Sequence, residues 1–149
     1  RFRDRLHGEQ EGVVDDFVVR RNDGAFAYNL AVVVDDAAQA IGEIVRGEDL
    51  LDSTPRQLWL ADRLGLPRPS HVHVPLVLGP DGKRLAKRHG AVTLADRRAL
   101  GETPDDVRAR LAASVGLCDP DERPTPEELV ERFDPERFSP PPSGPLPGL

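Results

Sequence analysis

Phe26-Ala27-Tyr28-Asn29-Leu30-Ala31-Val32-Val33-Val34-Asp35-Asp36-Ala37-Ala38-Gln39-Ala40, followed by Glu43-Ile44-Val45-Arg46-Gly47 and Ser53-Thr54-Pro55-Arg56-Gln57, decides the fold. Val32-Val33-Val34 favours a strand, whereas the length of the run and Ala37-Ala38-Gln39-Ala40 favour a helix. Length decides for a helix over 28–40. Ile44-Val45 then reads as a short buried strand. Ser53 or Thr54 is positioned to cap a helix with Pro55 at its first position, running to Gly65 with Leu58, Leu60, Ala61 and Leu64 on its apolar face.

Upstream, residues 1–15 mix charge and glycine with little periodicity. Phe17-Val18-Val19 and Ala25-Phe26-Ala27 flank Asp23-Gly24, a strong turn signal, and predict a hairpin. Downstream, 71–78 reads as a strand interrupted at Pro75, and Pro80-Asp81-Gly82 turns the chain. After Gly90 the texture changes. Thr103-Pro104-Asp105-Asp106 and Thr125-Pro126-Glu127-Glu128 each announce a helix, to about Val115 and Phe133. Ten of the fifteen prolines follow residue 100, and Ser139 to Leu149 reads as an unstructured Pro/Gly-rich tail.

Bulk properties narrow the function classes. The 149 residues suit one domain, or a small domain with an appendage. The chain begins at Arg1 and contains no Met, which suggests a segment of a longer or processed protein. No apolar run is long enough to cross a membrane, and no signal-peptide core opens the chain. One cysteine, Cys118, excludes an internal disulfide and points to the cytoplasm.

The net charge of −6 suits no nucleic-acid binder, but its distribution does. Residues 1–100 carry 15 Lys+Arg and 15 Asp+Glu, and the whole deficit lies in 101–149. Within 68–98, seven basic residues face only Asp81 and Asp96, a local field able to hold phosphates.

Several side chains are candidates for chemistry. Lys83-Arg84-x-x-Lys87-Arg88 follows a strand and a glycine turn, where a basic loop can neutralise charge on departing pyrophosphate; the alternative is a solvated basic turn. Arg46, between a strand and Gly47, can grip a carboxylate, or can pair structurally with Glu48, Asp49 or Asp35. The sole tyrosine, Tyr28, can donate to a substrate carboxylate or sit in the core. Asp35-Asp36 could hold Mg²⁺, though such a pair is more often a solvated helix face. His71-x-His73 puts two imidazoles on one strand face, too few for a metal site, and none is expected. No obvious nucleophile is present. Adenylation needs none, because the substrate carboxylate itself attacks the α-phosphorus.

Residues 16–36, 45–57 and 73–88 together resemble the class I glutamyl-tRNA synthetases, most closely their short branch that glutamylates queuosine in tRNA(Asp). The resemblance covers about half the chain. It implies an α/β fold: the second half of a Rossmann-like nucleotide-binding domain of parallel strands and helices over 1–93, a helical region supporting the tRNA stem over 94–138, and the disordered tail, 139–149, after it.

It also implies L-glutamate, ATP with Mg²⁺ and queuosine-containing tRNA(Asp) as partners, with a monomeric state expected. Tyr28 and Arg46 match the glutamate-binding tyrosine and arginine, and Arg84, Leu85, Ala86, Lys87 and Arg88 match the KMSKS loop, with Lys87 the ATP-contacting lysine. Leu76-Val77-Leu78 would border the adenine. Ala86 replaces the loop serine, and Arg84 its first lysine. The HIGH-type motif and any zinc-binding cysteines would lie upstream of residue 1, so this segment alone is expected to be inactive. An ordinary glutamyl-tRNA synthetase and a non-catalytic nucleotide- or tRNA-binding module are the alternatives.

Overall fold

The computed structural model describes residues 1–86 and 93–145. The chain divides into two compact units, Arg1–Val74 and Pro75–Leu149.

The first unit is a four-stranded sheet carrying two helices. Its strands are β1 (Phe2–Asp4), β2 (Gly8–Gln10), β3 (Glu43–Gly47) and β4 (Ser70–Val74), in the order β2-β1-β4-β3. β1 and β2 form an antiparallel hairpin. β4 runs parallel to β1 and to β3, with Ile44 opposite His71 and Arg46 opposite His73. The hairpin was not legible in residues 1–15, because three-residue strands of mixed charge carry no periodic signal. Of the hairpin expected over 17–27 the tip forms: Arg20 pairs antiparallel with Phe26, the Arg21 amide donates to the Ala25 carbonyl (2.8 Å) and the Ala27 amide to the Val19 carbonyl (2.9 Å). Its apolar residues have no sheet to pack on: Val18 is 61% and Phe26 65% exposed.

Helix α1 spans Tyr28–Ala38, so length prevails over the β-branched valines. Val33 and Ala37, one turn apart, face Leu58, Ala61 and Ile44 around a cavity of about 20 Å³. Tertiary packing thus overrides local propensity. A 3-10 helix (Glu48–Ser53) leads from β3 into α2 (Thr54–Leu64), which ends at Gly65 in the left-handed region (φ 65). Neither Ser53 nor Thr54 caps α2 with its side chain. The Thr54 hydroxyl turns back to the Leu50 carbonyl instead (3.3 Å). Ahead of α2, Gly12 runs so close to Pro55 that an added Cβ would lie 2.5 Å from its Cγ.

The second unit is mostly helical. Short strands β5 (Val77–Leu78) and β6 (Gly144–Pro145) pair in parallel. Part of the Pro/Gly-rich end is therefore tied down, with the Leu76 amide also donating to the Ser143 hydroxyl (2.6 Å). Helices α3 (Leu94–Ala99), α4 (Pro104–Ser114) and α5 (Pro126–Arg132) each begin with a complete capping box: Thr93/Asp96, Thr103/Asp106 and Thr125/Glu128. Val77, Val107, Leu111, Val115 and Leu129 line an open apolar groove of about 1120 Å³. No helix among the described residues is long and apolar enough to cross a membrane.

Candidate active site

The carboxyl edge of the parallel strands is where open α/β sheets bind ligands, and Arg46 stands there, opposite His73. Its guanidinium is held on one side by two neutral acceptors. Nε donates to His73 Nε2 (3.0 Å) and Nη2 to Thr54 Oγ1 (2.7 Å), with the Leu50 carbonyl at 3.5 Å. Its remaining nitrogen, Nη1, is buried without a hydrogen-bond partner. No ion pair forms between Arg46 and Glu48, Asp49 or Asp35 among the described residues.

Behind Arg46 lies a fully buried chain of polar groups. His73, Thr54 and Asp4 are the largest side chains sealed from solvent. His73 Nδ1 donates to Asp4 Oδ2 at 2.7 Å. Since His73 Nε2 faces an arginine that can only donate, the proton belongs on Nδ1. The same Asp4 oxygen accepts the His73 amide, and its other oxygen accepts the amides of Leu6 and His7. Burial alone would raise the Asp4 carboxyl. The His73 bond and the backbone amides outweigh it and hold it below the usual aspartate value.

Tyr28 is the first residue of α1 and is 54% exposed. Its neighbour Asn29 accepts a hydrogen bond from Gln57 on the first turn of α2 (3.0 Å). Thr54, at the head of that turn, holds Arg46. The start of α1, the start of α2 and the end of β3 are thus tied together through Asn29, Gln57, Thr54 and Arg46.

In the second unit, the Gly79 amide donates to the Lys83 carbonyl (2.7 Å) and the Leu85 amide to Val77 (2.9 Å). Arg84 bridges to Leu78. This turn, with Gly82 at φ 70, sets Arg84, Leu85 and Ala86 at the start of the basic loop. Lys87 and Arg88 lie outside the described residues.

His71 and His73 stack with rings 5.8 Å apart and nearly parallel. They do not converge on a common point, since both His73 nitrogens are engaged by Asp4 and Arg46. Burial, reinforced by the Arg46 charge, lowers His71 to about 4, and its Nε2 is buried without a partner. Among the described residues no group of three or more His, Cys, Asp or Glu could hold a metal ion. The Asp35-Asp36 pair lies within α1.

Two polar residues of this site, Asp4 and His73, were not singled out for it from sequence. The His71-x-His73 repeat pointed to one strand face. Nothing marks Asp4, sixty-nine residues from its partner.

Residues 1–119 match the family model for tRNA synthetases class I (E and Q), catalytic domain. The chain belongs to that family. Among relatives of this synthetase chain, the Glutamyl-Q tRNA(Asp) synthetase of Nocardia farcinica is 60% identical over 135 residues, 91% of this chain and 42% of that protein. The same-named protein of Symbiobacterium thermophilum is 54% identical over 89% of this chain and 42% of its own length. A glutamate tRNA ligase of Elizabethkingia meningosepticum, solved in complex with its amino acid, superimposes with a TM-score of 0.78 at 25% identity. That match covers 96% of this chain and 33% of the ligase. The chain therefore spans well under half the length of these synthetases, and its α/β fold with a parallel sheet is that of the class I catalytic domain.

Proposed function

We propose that the protein carrying this chain activates L-glutamate with ATP and transfers the glutamyl group to the queuosine base of tRNA(Asp). This chain supplies the later part of its catalytic domain. The observation that carries the reading is Arg46. Among the described residues no ion pair neutralises its charge, it stands at the ligand edge of the sheet, and its buried Nη1 lacks an acceptor. A buried charged donor without a partner costs more than about 1–3 kcal/mol. A carboxylate is the group that removes that cost best. Because Nη1 is sealed, carboxylate binding includes a local opening at this edge.

In this reading a glutamate carboxylate is held by Arg46 and by the Tyr28 hydroxyl. Its reacting carboxylate oxygen attacks the α-phosphorus of ATP. One O–P bond forms, the bond to the β-phosphate breaks, and pyrophosphate leaves as glutamyl-adenylate appears. The basic loop of Arg84, Leu85, Ala86, Lys87 and Arg88 stabilises the departing charge, with Lys87 the principal cation and Mg²⁺ accompanying the nucleotide. An acceptor group of the queuosine base then takes the glutamyl carbon and releases AMP. The names of the most similar relatives support this acceptor over tRNA(Glu).

The test is charging by the full-length protein. Glutamate should be attached to queuosine-containing tRNA(Asp) and not to tRNA(Glu); the reverse result identifies an ordinary glutamyl-tRNA synthetase. Lys87→Ala should slow ATP–pyrophosphate exchange by about 10²–10³. The isolated 149 residues should show none.

A further inference from the structure

Among the described residues no carboxylate pairs with Arg46, and its guanidinium is held by hydrogen bonds instead. His73 Nε2 and Thr54 Oγ1 form a pair of neutral acceptors facing Nε–H and Nη2–H, at 3.0 and 2.7 Å. A carboxylate in their place would orient the group equally well, but would neutralise the charge a substrate needs. The counter-charge is set one residue back, on Asp4, where His73 separates it from the arginine.

We propose that Asp4 and His73 are positioning residues for Arg46. The Asp4 carboxylate keeps the His73 proton on Nδ1, which leaves Nε2 solely an acceptor and locks the guanidinium with Nη1 as the donor offered to the amino-acid substrate. The proposal rests on the reading of Arg46 as the glutamate-binding arginine.

Three features support it. Asp4 cannot rotate, because both its oxygens are occupied by amides of two chain segments as well as by the imidazole. The opposite tautomer would set an Nε2–H against the Arg46 Nε–H, a donor facing a donor, with only Thr54 Oγ1 (3.2 Å), which already accepts from Arg46 Nη2, left to receive it. A carboxylate on a neutral imidazole is also costly to bury, and apolar residues of the same volume commonly serve stability as well or better.

Steady-state ATP–pyrophosphate exchange by the full-length protein tests this through separate KM values for L-glutamate and ATP. His73→Leu removes the acceptor, and Asp4→Asn lets an amide N–H face Nδ1 and drives the proton to Nε2. Both should raise KM for glutamate about 10- to 100-fold, the scale of one charged hydrogen bond, with KM for ATP within about twofold. His73→Gln, whose amide oxygen can accept from Arg46 Nε, should recover most of the loss.

Arg46→Ala separates the two levels of the argument. If it weakens glutamate binding while His73→Leu does not, positioning is wrong and the substrate reading stands. If Arg46→Ala leaves KM for glutamate unchanged, the substrate reading fails and this proposal with it. Equal rises in both KM values for His73→Leu denote a merely structural role and overturn the proposal. Should the variants not fold, ¹⁵N NMR of the wild-type imidazole decides: Nδ1–H with an unprotonated Nε2 is expected, and an Nε2–H tautomer or an imidazolium overturns it.

Discussion

The two units of this chain handle polar groups in opposite ways. In the first, Asp4, Thr54, Gln57, His71 and His73 are buried alongside Leu58, Leu60, Ala61 and Val72. In the second, the buried hydrophobic residues among those described are two alanines, Ala109 and Ala112, and charges sit outside in pairs such as Arg123–Asp106 and Arg132–Glu122. Burying polar groups is costly unless each is satisfied. The first unit accepts that cost where it surrounds Arg46, and even leaves two nitrogens, on Arg46 and His71, without partners. Surface pairs of the second kind contribute little, and its helices rely on capping boxes instead. The contrast teaches where function constrains the fold: polar burial concentrates at the site, and ordinary stabilising devices lie away from it.

The largest expected effect breaks the buried chain. Asp4→Ala leaves His73 Nδ1 and three backbone amides without their acceptor, and should cost about 3–5 kcal/mol, as removal of one partner of a buried pair does. The fluorescence of Trp59, the only tryptophan and a residue of α2, reports the urea midpoint of this unit. An unchanged midpoint would dissolve the distinction between the units.

Acid acts next. Folded His71 titrates at about 4 against an ordinary 6.5. Between those values the unfolded chain holds the extra proton, so stability is full above pH 6.5 and falls as pH drops towards 4. The loss should reach about 3 kcal/mol. His71→Leu should flatten this window, and a slope that persists in the variant places the titration elsewhere.

Smaller effects belong to the second unit. Thr103→Ala removes the cap of α4 and should cost about 1 kcal/mol, read from far-ultraviolet circular dichroism melts. Arg132→Ala should leave the melting midpoint where it is, because its pair with Glu122 is solvent-exposed. A large loss there would show that exposed pairs do more in this unit than the comparison allows.

Much of this architecture is legible in the sequence, for physical reasons that also mark the limits. Thr103, Thr125 and their partners three residues on announce helices because a capping box is a local hydrogen-bond exchange. Pro55 and Gly65 bracket α2 for the same kind of reason. The helix at 28–38 needed length to outweigh three valines whose local preference is β. Arg46 stood out because a strand followed by glycine ends at the ligand edge of a sheet. The β1–β2 hairpin did not, since its strands are three residues long, whereas Asp23-Gly24 marked the turn across which Val19 and Arg21 bond to Ala27 and Ala25. Asp4 was illegible because its role exists only through a contact between distant strands. Tyr28 opens α1 and Arg46 stands near the end of β3, whereas Lys87 and Arg88 fall outside the described residues.

The most direct measurement is a crystal structure of the full-length protein with L-glutamate bound. A glutamate carboxylate oxygen is expected within hydrogen-bonding distance of Arg46 Nη1, while Arg46 Nε remains on His73 and His73 on Asp4. Glutamate bound away from Arg46, with Nη1 still buried and alone, would contradict it.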